Sequence, residues 1–147
     1  MANATSDLVR RPYGKGGRDI HVPVDGGSAI WEGVFVSQLS TGMAVKGGTA
    51  GAGPAVGVST HRVDNLAGLD GDKRLVIETE RVFEFNNAGG ADACSEATLL
   101  FALVYMADDN TVANNAAAGT LKAAGRFMGM SEDGRVRVFV GIPGSLA

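Results

Sequence analysis

The stretch Lys73-Arg74-Leu75-Val76-Ile77-Glu78-Thr79-Glu80-Arg81-Val82-Phe83-Glu84-Phe85 decides how the chain is read. Leu75 and Ile77 share one parity with Phe83 and Phe85, while Glu78, Glu80 and Glu84 take the other. Alternation with a period of two over that length suits a half-buried strand; on a helix it would scatter the apolar side chains around the axis. Asn86-Asn87-Ala88-Gly89-Gly90 then closes the run with turn-forming residues.

Shorter runs of the same kind lie on both sides. Upstream, Ile20-His21-Val22-Pro23-Val24 stops at Asp25-Gly26-Gly27, and Pro23, with no N–H to give, places that strand at a sheet edge. Ala29 to Val36 is a second extended run with a bulge or bend expected at Gly33. Met43 to Lys46 and Ala55 to Ser59 are short strands around a glycine-rich loop at 47–54. Residues 60–72 form a long connection with turns at Asp64-Asn65 and Asp70-Gly71-Asp72.

Downstream, residues 91–98 are expected to form one helical turn with Asp92 as its N-cap. The apolar run Leu99 to Ala107 suits a buried strand or a buried helix by periodicity alone. Val104, Tyr105 and the turn Asp108-Asp109-Asn110 favour a strand over 101–107, paired in a hairpin with Thr111-Val112-Ala113. Residues 114–124 read as a loop. Arg126 to Met130 and Arg135 to Val140 flank Ser131-Glu132-Asp133-Gly134, a hairpin signal. Val136, Val138 and Val140 face one way, and Arg135, Arg137 and Phe139 the other. Eight or nine short strands with glycine turns and almost no helix predict an all-β fold with minor α content, a small barrel or sandwich.

The 147 residues suit one domain. A chain of that size buries about 68–70% of its unfolded surface, so it needs no disulfide or metal to fold. Its 22 glycines are about twice the usual share, as many tight turns require. The single cysteine, Cys94, excludes an intrachain disulfide. It has no histidine near it in sequence and reads as a small core residue rather than a catalytic thiol. Residues 1–8 hold no apolar core of signal-peptide length, and the longest apolar run is about half of what a membrane helix needs. A soluble protein made in the cytoplasm is therefore expected, with no membrane partner.

Residues 1–19 read as a flexible, basic N-terminal arm, with Pro12 and Gly14-Lys15-Gly16-Gly17 in place of any periodicity. Residues 1–18 carry Arg10, Arg11, Lys15 and Arg18 against Asp7, a net +3 that leaves −6 for the remainder. Arg10, Arg11, Tyr13, Lys15 and Arg18 are the candidate binding residues of this arm, suited to an acidic protein partner. No aromatic pattern or motif supports a nucleic-acid site. Residues 20–147 form the single β-rich domain.

Motifs for chemistry are sparse. His21 and His61 lack a further ligand at zinc spacing. No Gly-x-Ser-x-Gly elbow occurs, Gly14-Lys15-Gly16-Gly17 lacks phosphate-loop spacing, and Asp70-Gly71-Asp72 lacks the closing glutamate of a calcium loop. Successive positions on one face of a strand stand about 7 Å apart, which suits a glycosidase pair among Glu78, Glu80 and Glu84. Aromatic residues are only 6% of the chain, however, and that face reads better as solvated or interface surface. The expectation is a protein without enzymatic activity, cofactor or metal.

The order of these segments resembles the phage capsid decoration (head cement) proteins. The resemblance runs from Glu32-Gly33-Val34-Phe35-Val36 through Ala55-Val56-Gly57-Val58-Ser59 and Leu75 to Phe85. It continues with Leu103-Val104-Tyr105-Met106-Ala107-Asp108-Asp109 and closes with Arg126 to Val140, covering roughly 28–142. Arg81 stands where that family often has glycine, and Phe85 where proline is common. The resemblance implies a β-barrel-like decoration domain over 20–147, often a homotrimer, bound to the major capsid protein on the outer face of an icosahedral virion. Other expectations open at this point are a phage tail or fibre module, a small-ligand-binding β-barrel with a cavity beside Trp31, and a small hydrolase.

Overall fold

The computed structural model describes residues 3–8, 18–117 and 119–141. It is all-β. The strands are β1 (Arg18–Pro23), β2 (Ala29–Ile30), β3 (Phe35–Gln38), β4 (Ala44–Lys46), β5 (Gly57–Ser59), β6 (Val63–Asp64), β7 (Arg74–Thr79), β8 (Arg81–Asn87), β9 (Leu103–Met106), β10 (Thr111–Ala113), β11 (Ala123–Met130) and β12 (Val136–Val140). Five of them form a sheet ordered β1-β7-β5-β3-β4, and β2 pairs with β6. The other five close into a barrel, β10-β8-β12-β11-β9.

The Lys73–Phe85 run is where the two assemblies join. It is extended throughout but divides at Glu80, whose φ of 60° lies in the left-handed region. Before the kink, Leu75 and Ile77 belong to the sheet's core; after it, Phe83 and Phe85 belong to the barrel's. The alternation crosses the kink unbroken, so the inward face stays inward. Phe35 crosses in the opposite sense. It lies on β3 of the sheet but stacks on Phe85 in the barrel core, ring centroids 3.8 Å apart. Gly47 must be glycine at this seam, because a Cβ there would stand 2.6 Å from both Met106 Sδ and the Phe35 Cβ.

Closure leaves few strand edges. The ends of the five-stranded sheet meet at a single parallel bridge, Val24 to Ala44, where Asp25 N–H donates to the Ala44 carbonyl at 3.0 Å. The barrel closes through the one parallel pairing of named strands, β8 with β10. The hairpins expected at 108–110 and 131–134 form, joining β9 to β10 and β11 to β12.

Four expectations are corrected. The run 29–36 is not one strand: the chain bends at Gly33, whose φ of 81° makes a turn that sends β2 and β3 into different sheets. The helical turn is a short 3₁₀ segment over Gly90–Asp92 with Gly89 at its cap position, and Asp92 lies inside it. The apolar run 99–107 is strand only over Leu103–Met106. Lastly, residues 3–8 are not a free arm. Ala4 and Leu8 pack on the sheet's core, Leu8 N–H donates to the Glu32 carbonyl at 2.7 Å, and the buried Asp109 carboxylate accepts from Ala4 N–H at 2.7 Å. The expected arm from 9 to 17 falls outside the described residues.

Gly33 lies under this docked segment. A Cβ there would meet the Leu8 carbonyl oxygen at 2.1 Å, on a backbone already at positive φ. Gly33→Ala is expected to destabilise the fold by about 2 kcal/mol, lowering the melting temperature by roughly 5 °C. The Leu8 amide should lose its protection from hydrogen exchange in the same variant.

Candidate interaction surface

Of the candidate arm residues, Arg10, Arg11, Tyr13 and Lys15 lie outside the described residues. Arg18 opens β1 and pairs with Glu80 at 2.5 Å while its side chain stays 69% exposed. The other two glutamates of that face are also matched: Glu78 with Arg81 at 3.0 Å and Glu84 with Arg137 at 3.1 Å. Glu78, Glu80 and Glu84 therefore form a ladder of alternating charge, and the structure does not gather them as an acid–base pair across a cleft. Ion pairs this exposed contribute little stability, about 0–1 kcal/mol each, and mainly fix the polarity of the face.

The histidines are built into the backbone or lie in the open. His61 Nε2 accepts the Val76 N–H at 3.1 Å, which leaves the proton on Nδ1, 3.2 Å from the Arg62 carbonyl. His21 is exposed on β1. Asp70 and Asp72 serve their own turns: Asp70 accepts the Gly26 N–H at 2.8 Å and Asp72 that of Leu69 at 2.9 Å. Among the described residues no three His, Cys, Asp or Glu side chains are grouped to hold a metal ion. The hollow beside Trp31, about 390 Å³, is open to solvent and lined by residues that include Lys46 and Leu66, and the Arg62 guanidinium lies 4.3 Å over the indole.

Beside the singly exposed Leu66 and Leu69, two features stand on the outside of the described body. The first is the outer edge of β1, where residues 18–21 are all exposed. The second is the loop Leu99-Leu100-Phe101, with exposures of 77%, 60% and 63%. Three large apolar side chains side by side in water mark a contact surface more often than chance exposure. The loop is held in place. Phe101 N–H donates to the Phe127 carbonyl and Phe127 N–H to the Ala102 carbonyl, both at 2.8 Å, and Phe101 keeps a left-handed φ of 69°.

No protein-family model, curated protein or solved structure matches this chain. Sequence reasoning missed the 99–101 loop because nine consecutive apolar residues looked uniformly buried. The available signal was the lack of alternation: a barrel strand can bury only every other side chain, so such a run must leave some of them outside or leave the strand.

Cys94 is buried, 3% exposed, and its N–H donates to the Asn87 side-chain oxygen at 2.9 Å. Burial pushes its thiol up to about 11 from the ordinary 9.0. The folded-state value is the raised one, so the stability this group contributes is complete below pH 9.0 and is lost as pH climbs toward about 11. Thiolate absorbance of native protein should rise only near that upper value, and alkylation at about pH 8 should be roughly a hundredfold slower than in unfolded chain.

Proposed function

We propose that this chain is a structural virion protein, a capsid decoration protein that binds the outer surface of an icosahedral phage capsid and bridges neighbouring major capsid protein subunits. The observation that carries the reading is the Leu99-Leu100-Phe101 loop, an apolar projection on a closed β body. A cement protein needs such a body. Its contribution is buried area across a seam, and modest contacts become strong when many are engaged at once over a repeating lattice. The segment order that resembles the decoration proteins supports the same reading. The charge asymmetry supports a second contact, with Arg10, Arg11, Tyr13, Lys15 and Arg18 meeting an acidic stretch of the capsid protein.

The test is addition of purified protein to undecorated capsids, reading occupancy and the heat resistance of the particles. The double variant Leu100→Ser/Phe101→Asn removes the apolar projection. Asparagine accepts the left-handed backbone at 101 more readily than phenylalanine, so the fold should keep its melting temperature. Capsid affinity should fall at least about 30-fold, the loss of one buried anchor. Reversal of Arg10, Arg11 and Lys15 to glutamate should slow association and weaken its salt dependence. Wild-type occupancy by the Leu100→Ser/Phe101→Asn protein would remove the loop from the interface and with it the main support for this function.

A further inference from the structure

The free edge of β1 has a definite chemistry. Strand β1 pairs antiparallel with β7, His21 opposite Val76 and Ile20 opposite Ile77. In such a ladder, residues alternate between pointing both N–H and C=O at the neighbour and pointing both away from it. Val24 N–H donates to the Lys73 carbonyl at 2.9 Å, which fixes the phase: Val24, Val22, Ile20 and Arg18 point at β7. Val76 agrees, since its carbonyl and N–H serve Thr60 and His61 on the far side. Asp19, His21 and Pro23 therefore point outward, and Pro23 has no N–H. Among the described residues nothing takes up the outward backbone groups of Asp19 and His21.

We propose that β1 is a self-pairing edge: two copies of this chain join β1 to β1, antiparallel, about a two-fold axis at Ile20. Three observations converge on that register. It sets Asp19 of each copy opposite His21 of the other, matching outward groups with outward groups and making four backbone hydrogen bonds. It also places a carboxylate beside an imidazole at both pairs. The two neighbouring registers of the same phase fail, because centring on Asp19 opposes two carboxylates and centring on His21 sets the N–H-less Pro23 against Asp19. Finally, Ile20 lies on the same face as the buried Val22 and Ile77 yet is 41% exposed, because no strand of the described residues lies beside β1 there. At the axis the Ile20 of the second copy covers it, in the pair where facing side chains come closest.

The remaining charges nearby do not oppose this pairing. Glu78, which faces Asp19 in the ladder, is paired with Arg81, and Arg18 is paired with Glu80. So short a strand covers less area than the roughly 1,200–2,000 Å² of a stable dimer. The association is correspondingly weak in dilute solution and is favoured wherever copies are held close together. It does not depend on the capsid reading.

Sedimentation of the full chain from about 10 μM to 1 mM tests the proposal, spanning the range in which weak association is measurable. The expected result is a concentration-dependent dimer, with hydrogen exchange at the Asp19 and His21 amides slowing as it forms. His21→Pro deletes an outward N–H and no bond to β7, so it removes two of the four bonds. It should raise the dissociation constant at least about tenfold at unchanged melting temperature. The exchange D19H/H21D keeps unlike side chains opposite each other at both pairs and should leave association near wild type. A monomer at the highest concentration, or a dimer indifferent to His21→Pro, would overturn the inference. So would protection of the β1 amides only on capsids, which would give the edge to a strand of the particle and leave the decoration reading standing.

Discussion

At Glu80 the backbone enters the left-handed region, at a cost of order 1–3 kcal/mol for a residue with a Cβ, and the division of the molecule into sheet and barrel depends on that turn being held. Two contacts hold it. The Glu80 N–H donates to the Val140 carbonyl at 2.6 Å, tying the kink to the last barrel strand, and its carboxylate meets Arg18 at the start of β1. The kink redirects the strand without changing which face is inside, so one run can supply Leu75 and Ile77 to one core and Phe83 and Phe85 to another. Had the turn consumed a residue of the wrong parity, the second half would have presented Glu84 to the barrel interior.

The seam created by that kink is filled from the other side by Phe35 and stitched by polar groups that a core this size must satisfy. Asp109 is one of them. Its carbonyl accepts the Phe35 N–H of β3, its own N–H donates to Asn3, and its carboxylate accepts from Ala4. A single residue in a barrel hairpin therefore fastens both the sheet and the N-terminal segment. Ser59 does similar work inside the sheet. Its hydroxyl donates to the Trp31 carbonyl at 2.5 Å and accepts the Val34 N–H at 3.1 Å, pinning the turn at Gly33 from beneath. These bonds explain why residues 3–8 lie on the body although their composition gives no hint of it.

What the chain reveals by inspection is its local periodicity. The alternation in 74–87 and 136–140, the Asp-Gly hairpin and the edge position announced by Pro23 are all one-dimensional signals, and each corresponds to a strand or turn in the structure. The errors fall where a long-range partner decides the outcome. Gly33 becomes a turn because Ser59 and Leu8 hold it, and both are distant in sequence. Asp92 lies at the end of the 3₁₀ segment rather than before it, and its carboxylate accepts from the Asn115 side chain at 2.7 Å. The surface was less legible than the fold. Arg18 stands out by its charge, yet it pairs with the body's own Glu80. The outward direction of Asp19 and His21 depends on the phase of the β1–β7 ladder, which no local pattern encodes.

That phase gives the two exposed features their meaning. A β protein is at risk wherever a strand edge or an apolar group is left in water, and this one closes its barrel and bridges the ends of its sheet. Against that background of closure, the edge over 18–21 and the loop over 99–101 are places where the rule is relaxed, as are the exposed Leu66 and Leu69. They differ in kind. The edge offers backbone bonds in a fixed register and so selects an extended segment of matching charge. The loop offers apolar side chains and so selects a pocket of matching shape. The first chemistry suits a strand and the second a cavity, so the two need not compete for a partner, and a subunit using both would contact its neighbours through two chemically distinct joints.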